Sequence, residues 1–271
     1  MAVGTSGSEA ARLREVMSVE PGWQEMSGRW FTGAYDETGI DVKLARLQTS
    51  PVVLGTGELS LRRGASAATL HVFGANLPSV TAADVTLGQG VRVLQVSNAD
   101  PAQVTLQVAV APDAAPGPRD VSIGGIVRPS AFVVYDKVEG LQVLPRSGLA
   151  RIGGNVFPKQ FQQFEAMAYL NGPDGKPETA DDVPLGLVDA AWSLEEYSAV
   201  FDDDDLRFVG AVDGRTGLFT PNLDGPNSER SGNRNNIGDV WVAATYTPEG
   251  AAEPLKARAH LLVAPPVYLR S

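Results

Sequence analysis

Apolar and polar residues alternate in the C-terminal part of the chain, and this alternation predicts β-strands. Over residues 239–246 one face of an extended strand collects Val240, Val242, Ala244 and Tyr246. The opposite face takes Trp241, Ala243 and Thr245. Further short apolar segments, separated by glycine turns, begin at Trp192. The pattern is typical of half a β-sandwich, and it indicates an architecture rather than a reaction.

Residues 49–136 carry the most regular pattern. Short strand candidates follow one another at a spacing of about 12 residues, with turn signals such as Gly88-Gln89-Gly90 and Pro116-Gly117-Pro118 between them. The clearest candidate spans 103–110, where the apolar positions are Val104, Leu106, Val108 and Val110. This spacing predicts a first immunoglobulin-like sandwich over 49–136.

A second immunoglobulin-like sandwich is predicted over residues 137–271. It contains a long strand over 160–170, in which Phe164, Ala166 and Ala168 share a face, and a closing strand over 256–263. Residues 193–197, where Ser193 precedes two glutamates, are interpreted as a single helical turn.

The first 48 residues differ from the rest. Ser8 is the predicted cap of a short helix from Glu9 to Val19, in which Leu13, Val16 and Met17 follow helical spacing. Aromatic-rich strand segments come after it. Roughly 20 strand residues cannot bury a core alone, so this segment needs a neighbour. The predicted fold is all-β, with two consecutive immunoglobulin-like β-sandwich domains preceded by a short N-terminal helix and an aromatic-rich strand segment.

Composition narrows the range of partners. The formal net charge of −10 argues against nucleic acid and anionic membranes, which require local positive charge. No apolar run approaches the roughly 18 residues of a membrane helix, which argues against membrane insertion. The absence of cysteine excludes disulfides, thiolate metal sites, CxxCH haem attachment and a cysteine nucleophile within the chain. Residues 1–11 lack the features of a signal peptide.

The loop over residues 171–182 is one candidate metal site. Side-chain oxygens come from Asn171, Asp174, Asp181 and Asp182, and calcium prefers six to eight oxygen ligands. The spacing is not that of an EF-hand. Asx-turns and strand-end capping explain the same residues without a metal. A calcium site and a purely structural loop therefore remain as alternatives.

Two other loops are candidate sites because of their charged and polar composition. Asp202–Asp205 is the densest run of charge, and a solvated loop is favoured over a second acidic metal site because adjacent acids point in different directions. The loop over 221–238 is long for a sandwich connection. Its residues Arg230, Asn233 and Arg234 suit polar contacts with a partner chain, although an ordinary connection explains them equally well.

No set of residues in the sequence indicates a catalytic mechanism. His71 and His260 lie in predicted strands without a carboxylate at ligand spacing, and both are interpreted as structural. No serine has the context of a nucleophile elbow, and no acid pair is placed for general acid–base catalysis. The sequence therefore assigns no catalytic residue.

Several motifs resemble those of the alpha subunit of quinohemoprotein amine dehydrogenase. Residues 27–31 and 36–41 resemble the end of its second domain. Residues 51–135 resemble its third domain, with Gly74–Leu77 and Ala115–Val121 as matching marks. The marks that resemble its fourth domain are Gln160–Phe164, Asn171–Asp182, Trp192–Glu195, Gly217–Pro221 and Gly225–Asn227. The resemblance spans roughly residues 23–271.

The resemblance implies a family that oxidises primary amines in the periplasm. It implies a cysteine tryptophylquinone on a small gamma subunit and two c-type haems in the first domain of the alpha subunit. This chain lacks the CxxCH domain, most of the second domain and any cysteine, so no catalytic or cofactor-binding residue of the family can be carried over. By this resemblance, the matching region is expected to be the non-catalytic β-scaffold that flanks the working subunits.

Two hypotheses follow from the resemblance. The chain is either a scaffold in an amine dehydrogenase-like complex or an independent structural or adhesive module, and a periplasmic or extracellular location is expected in both. The segment over residues 1–48 matches part of a closed barrel in the family, so assembly with a protein partner or with another copy is expected through it. The expected contact residues are Trp23, Trp30, Phe31 and Tyr35.

Overall fold

The computed structural model describes residues 2–6, 13–32, 39–46, 49–198, 204–230 and 235–266, and nearly all of its regular structure is β-strand. Contacts between residues divide the chain into two compact units. One comprises residues 1–46, 141–167 and 187–271, and the other comprises 47–140 and 168–186. The predicted all-β fold class is confirmed. The domain boundaries predicted after residues 48 and 136 stay predictions.

Four antiparallel strands form an N-terminal sheet, in which each strand pairs with the next one along the chain. They are β1 (Ala2–Ser6), β2 (Leu13–Val19), β3 (Glu25–Thr32) and β4 (Gly39–Ala45). The strands predicted after Pro21-Gly22 are therefore confirmed where the structure describes them.

The helix predicted over residues 9–19 is wrong in its described part. Residues 13–19 form β2, which pairs with β3 from Leu13↔Thr32 to Val19↔Met26. A helix of this length is marginal in water, whereas a ladder with an aromatic-rich strand fixes every residue of β2. The predicted cap Ser8 lies outside the described residues.

The first sandwich consists of eight strands and a short 3-10 helix over Ala82–Asp84. The strands are β5 (Val52–Thr56), β6 (Ser60–Arg62), β7 (Ala68–Ala75), β8 (Val85–Thr86), β9 (Val91–Ala99), β10 (Gln103–Val110), β11 (Gly117–Ile123) and β12 (Ile126–Tyr135). One sheet has the order β5-β7-β10-β9 and the other has the order β6-β12-β11-β8.

The core of this sandwich follows the predicted alternation. Val104, Leu106 and Val108 in β10 are fully buried, and Phe132 from the facing sheet lies in the same core. The intervening residues of β10 face outward and are partly exposed. The predicted immunoglobulin-like sandwich is confirmed for this part of the chain.

In its described residues, the second sandwich contains ten strands and one short helix. They are β13 (Gly140–Leu144), β14 (Ser147–Arg151), β15 (Gln162–Gln163), β16 (Glu165–Leu170), β17 (Val183–Val188), β18 (Ala191–Glu196), α1 (Asp205–Phe208), β19 (Gly210–Val212), β20 (Leu218–Pro221), β21 (Gly238–Tyr246) and β22 (Leu255–Ala264). The sheets have the orders β13-β16-β17, β14-β22-β21-β18 and β15-β20-β19.

Two details of this sandwich differ from the sequence prediction. The long strand over 160–170 is broken at Phe164 into β15 and β16, which belong to different sheets. Phe164 still lies in the core, where its ring is fully buried. Residues 193–197 are not a helical turn, because Ala191–Glu196 is strand β18 and pairs with the central strand β21. Cross-strand pairing outweighs the local capping signal there.

Substitution of two glycines in the first sandwich tests how closely its turns pack against neighbouring residues. Gly64 and Gly90 have φ values of +81° and +80°, but an added Cβ at Gly64 meets nothing within 4 Å. An added Cβ at Gly90 lies 2.6 Å from the Cβ of Ala114, which is buried. We expect Gly64→Ala to lower the free energy of unfolding by about 1–2 kcal/mol through the left-handed backbone alone. In Gly90→Ala the free energy of unfolding should fall by about 1–3 kcal/mol more than in Gly64→Ala, because the added methyl group overpacks against Ala114.

Chemical denaturation of the two full-length variants measures both losses. The shared backbone conformation makes Gly64→Ala the matched control. Equal losses in the two variants would contradict the close approach of Gly90 to Ala114.

Candidate interaction surface

Strand register gives the N-terminal sheet two unlike sides. One side, called the apolar face, carries Leu13, Met17, Val19, Met26, Trp30, Ile40, Val42 and Leu44. Within strands β2–β4 its single charged residue is Glu15. The other side, called the polar face, carries Arg14, Ser18, Glu25, Ser27, Arg29, Asp41 and Lys43. The sheet therefore has the amphipathic pattern of a layer that packs on one side only.

Ion pairs link the strands on the polar face. Arg29 Nη1 lies 3.0 Å from Asp41 Oδ1, and Lys43 Nζ lies 2.7 Å from Glu25 Oε2. Exposed pairs of this kind contribute about 1 kcal/mol or less to stability. Phe31 also lies on this side and is only 5% exposed. Its ring is thus buried within the chain, which leaves little of it for the partner contact expected from the sequence.

The apolar face keeps much of its area open to solvent. Ile40 is 61% exposed, and Leu13, Val19 and Leu44 are between 39% and 41% exposed. Met17 at its centre is buried. Trp30 also lies on this face, and its indole Nε1–H is buried without an acceptor among the described residues. Apolar exposure along one side of a sheet makes this face a candidate interaction surface.

Trp23 lies in the turn between β2 and β3 and is 74% exposed. Its φ of +62° is unusual for a residue with a large side chain. Trp23 also lines an open groove of about 590 Å³, and the other lining residues come from both faces of the sheet: Val16, Met17, Ser18, Val19, Ser27 and Gly28. Trp23 therefore lies at the turn end of β2 and β3, whereas Trp30 lies toward the other end of β3, opposite Glu15 and Ile40. Tyr35, the other aromatic residue expected there, lies outside the described residues.

Arg230 is an internal residue, with a side chain that is 3% exposed. Its Nε donates to Asp204 Oδ1 at 2.8 Å, and its Nη2 donates to Asp205 Oδ1. Its Nη1 donates to the carbonyl oxygens of Asn235 and Ile237. The guanidinium is thus taken up by its own chain, which corrects the expectation that Arg230 faces a partner. Asn233 and Arg234 lie outside the described residues.

Asp205 is buried, so the expectation of a wholly solvated acidic run is wrong at this residue. Its Oδ1 accepts from Arg230 and its Oδ2 accepts the backbone N–H of Asp239 at 2.7 Å. A buried carboxylate requires such a paired cation, and the partner lies 25 residues away in sequence. Local sequence gives no signal for this pair. Asp202 and Asp203 lie outside the described residues.

The loop over 171–182 brings three of its four candidate ligands together. Thr179 Oγ1 lies 2.7 Å from Asp181 Oδ1, 3.2 Å from Asp182 Oδ1 and 3.4 Å from Asp174 Oδ1. The hydrogen bond from Thr179, and after it the backbone N–H of Asp174, lowers the pKa of Asp181. Asn171 instead donates its backbone N–H to Glu139 Oε2 at 3.1 Å.

These contacts show the loop as turn-forming, because backbone N–H groups bind its carboxylates. Asp174 Oδ1 accepts from the N–H of Lys176, and Asp182 Oδ2 accepts from the N–H of Glu178. Among the residues that the structure describes, no group of three or more His, Cys, Asp or Glu side chains has the geometry to hold a metal ion. The calcium site stays a prediction.

Both histidines pair with a carboxylate that the sequence did not reveal. His71 Nδ1 lies 2.7 Å from Glu58 Oε1, and His260 Nε2 lies 2.8 Å from Asp239 Oδ2. His260 also contacts the rings of Trp241 and Tyr197, and the Arg258 guanidinium lies 4.4 Å from the Trp241 ring centroid. These contacts tie the ends of neighbouring strands together.

Residues of the resembling motifs serve internal contacts. Arg119 donates to the carbonyl oxygens of Gln89, Gly117 and Pro118, and so fixes two neighbouring loops. Asp120 Oδ1 accepts the N–H of Ser130 at 2.8 Å. An added Cβ at Gly217 would lie 2.6 Å from the Phe164 carbonyl oxygen, which explains the glycine. The structural role of Arg119 was missed from the sequence, since its acceptors are main-chain atoms.

Two family models match most of the chain. The model for quinohemoprotein amine dehydrogenase, alpha subunit domain III, matches residues 52–136. The model for domain IV of the same subunit matches residues 141–271. No curated protein sequence gives a significant match. Within the described part of the chain, no helix is long and apolar enough to cross a membrane.

Similar solved structures include tandem β-domains. A three-domain fragment of a mouse clustered protocadherin is 13% identical, with a TM-score of 0.31, and the match covers 90% of this chain and 76% of that chain. Domains 4–9 of the surface layer protein SbsC are 13% identical, with a TM-score of 0.27 and coverages of 88% and 35%. A titin immunoglobulin tandem is 9% identical, with a TM-score of 0.25 and coverages of 80% and 100%. No functional assignment is drawn from likenesses at these scores.

Arg230→Met tests the internal role of this arginine. Because it leaves Asp205 as an unpaired buried charge, we expect a loss of about 3–5 kcal/mol in the free energy of unfolding. Arg207→Met is the control, since Arg207 and its partner Glu229 have side chains that are 72% and 66% exposed. The free energy of unfolding of the control variant should fall by about 1 kcal/mol or less. Urea denaturation measures both, and similar losses would refute the buried pair.

Thr179→Val tests the carboxylate cluster of the 171–182 loop. Because the Thr179 hydroxyl holds the pKa of Asp181 below its ordinary value, the variant should raise that pKa. A depressed pKa stabilises the folded chain above the unfolded pKa, and this contribution disappears as the pH falls through the folded pKa. Stability should therefore fall in Thr179→Val at neutral pH and converge with that of the parent protein in strong acid.

NMR titration of the Asp181 carboxyl group measures this shift. Asp213 is the internal control, because the backbone N–H groups of Arg215 and Thr216 hold its pKa low. An unchanged Asp181 pKa in the variant would rule out the role given to Thr179.

Proposed function

Because this chain belongs to the family of the quinohemoprotein amine dehydrogenase alpha subunit, with domains III and IV of that subunit, we propose that it is a non-catalytic β-scaffold that assembles with other protein chains. In this proposal the redox chemistry belongs to the partner chains. The fold alone does not decide this, since sandwiches of this type host unrelated functions. The support for the proposal comes from the absence of cysteine in the sequence and from the exposed apolar face of the N-terminal sheet.

The cofactors implied by the family resemblance do not fit this chain. Attachment of a c-type haem and formation of a cysteine tryptophylquinone both require cysteine, and the sequence contains none. We therefore assign neither group to this chain, and no step of a reaction is assigned to its residues. A periplasmic or extracellular location is part of the proposal, through the family relationship.

One observation supports assembly more than any other. The apolar face of the N-terminal sheet exposes Ile40, Leu13, Val19 and Leu44 to solvent, although each sandwich buries its own core. Exposed apolar side chains on one side of a sheet are energetically costly unless another surface covers them. An assembly contact through residues 1–48 would remove this cost.

The same exposed face supports a second candidate function. Self-association through it would suit an independent structural or adhesive module that has no redox partner. The two candidates share the assembly segment and differ in what occupies it.

Deleting residues 1–48 tests the assembly function. We expect the two sandwiches to remain folded, because no described residue of that segment belongs to either core. Tagged full-length and truncated chains are isolated from the source cells under identical conditions and compared by sedimentation velocity. The full chain should sediment well above its own mass of 28.6 kDa, and the truncated chain should sediment as a monomer.

Circular dichroism with thermal denaturation provides the folding control for this comparison. If the truncated chain is folded and both chains sediment as monomers, the assembly function is refuted. If both sediment in the same large complex, assembly occurs through the sandwiches and the role given to residues 1–48 fails.

A further inference from the structure

We infer that the apolar face and Trp23 dock a protein surface with an apolar centre and lysine or arginine at its border, rather than a second copy of this chain. The inference rests on the proposed assembly function and names the chemistry of the partner. It follows from the exposure, the charge distribution and the backbone conformation of the N-terminal sheet.

Exposure defines the contact area. The strongly exposed apolar side chains Ile40 and Leu44 lie on the edge strand β4, and Leu13 and Val19 lie at opposite ends of β2. Trp30 lies between these strands on β3. An aromatic residue surrounded by aliphatic side chains is the usual composition of an interface centre.

Trp23 distinguishes the turn from an ordinary hairpin connection. Trp192 is buried, and Trp241 is covered by Arg258, whereas Trp23 is 74% exposed. A tryptophan at φ +62° costs conformational energy that glycine at the same position would avoid. The exposed ring is suited to stack against a cationic side chain, as the ring of Trp241 does within this chain.

The described charges around this surface are acidic in balance. Glu15 lies on the apolar face and Glu20 is exposed in the turn three residues before Trp23, while the exposed Arg46 donates its backbone N–H to Gln24 at the same turn. The basic strand residues Arg14, Arg29 and Lys43 lie on the polar face. Two copies would bring these carboxylates together on chains that each carry a net charge of −10, which opposes self-association. A basic border on the partner would complement the surface and increase the rate of association.

Two synthetic eight-residue peptides test this chemistry. Both alternate valine with polar residues, and the polar residues are lysine in one peptide and glutamate in the other. We titrate each peptide into isotope-labelled full-length protein and follow the amide shifts by NMR. The lysine peptide should bind at the apolar face at least about tenfold more tightly than the glutamate peptide, a difference of about 1.4 kcal/mol.

Variants separate a binding role from a structural role. Trp23→Gly should weaken binding of the lysine peptide several-fold and leave the melting temperature unchanged or raised, because glycine accepts the backbone conformation without strain. Ile40→Ser should also weaken binding. Leu94→Ser, at an exposed strand position of the first sandwich, is the matched control and should leave binding unchanged.

Several results would overturn the inference. They are equal affinity for the two peptides, no binding of the lysine peptide, shifts confined to the polar face, or a dimer of the free chain that Ile40→Ser dissociates. If deletion of residues 1–48 abolishes assembly but the lysine peptide does not bind preferentially, the scaffold function is supported and the proposed partner chemistry is refuted. If the lysine peptide binds as expected but the deletion leaves assembly intact, the binding surface is supported and assembly through residues 1–48 is refuted.

Discussion

The buried ion pair between Arg230 and Asp205 fixes the start of the central strand in the second sandwich. Asp205 Oδ2 accepts the N–H of Asp239, the second residue of β21, while Arg230 neutralises the carboxylate. From this starting point Val240, Val242 and Ala244 reach the core, where all three are fully buried. A shift of one residue would turn these side chains outward, so a polar contact at one end of the strand secures its apolar register.

The N-terminal sheet leaves Ile40, Leu44 and other apolar side chains partly exposed, although its Met17 and Phe31 are buried. Backbone pairing from β2 to β4 sets its register, and the ion pairs Arg29–Asp41 and Lys43–Glu25 link the strands on its polar face. Its apolar face carries partly exposed aliphatic side chains. The chain thus combines two sandwiches with complete cores and one sheet whose apolar side is suited to another protein. This contrast is the physical basis of the proposed scaffold.

Strands with a clear period of two could be predicted from the sequence, as in β10 and β21, because burial of alternate residues determines them. The segment over 13–19 was misassigned, since Leu13, Val16 and Met17 fit a helical period while a distant strand decides the outcome. The Arg230–Asp205 pair was missed for a similar reason, because the two residues are 25 positions apart in sequence and meet only in the fold. Trp23 and Trp30 could be proposed as contact residues from their type, but the exposure of one and the buried donor of the other required the structure.

The central claim is that this chain contributes structure to an assembly whose chemistry lies on other chains. The most direct measurement is the visible absorption spectrum of the assembly isolated through a tag on this chain, compared with the spectrum of the purified chain alone. The chain alone should be colourless, because it has no cysteine for a haem or quinone crosslink, and the assembly should show haem bands from its partners. A colourless assembly, or a haem or quinone that stays on this chain after denaturation and repurification, would contradict the claim.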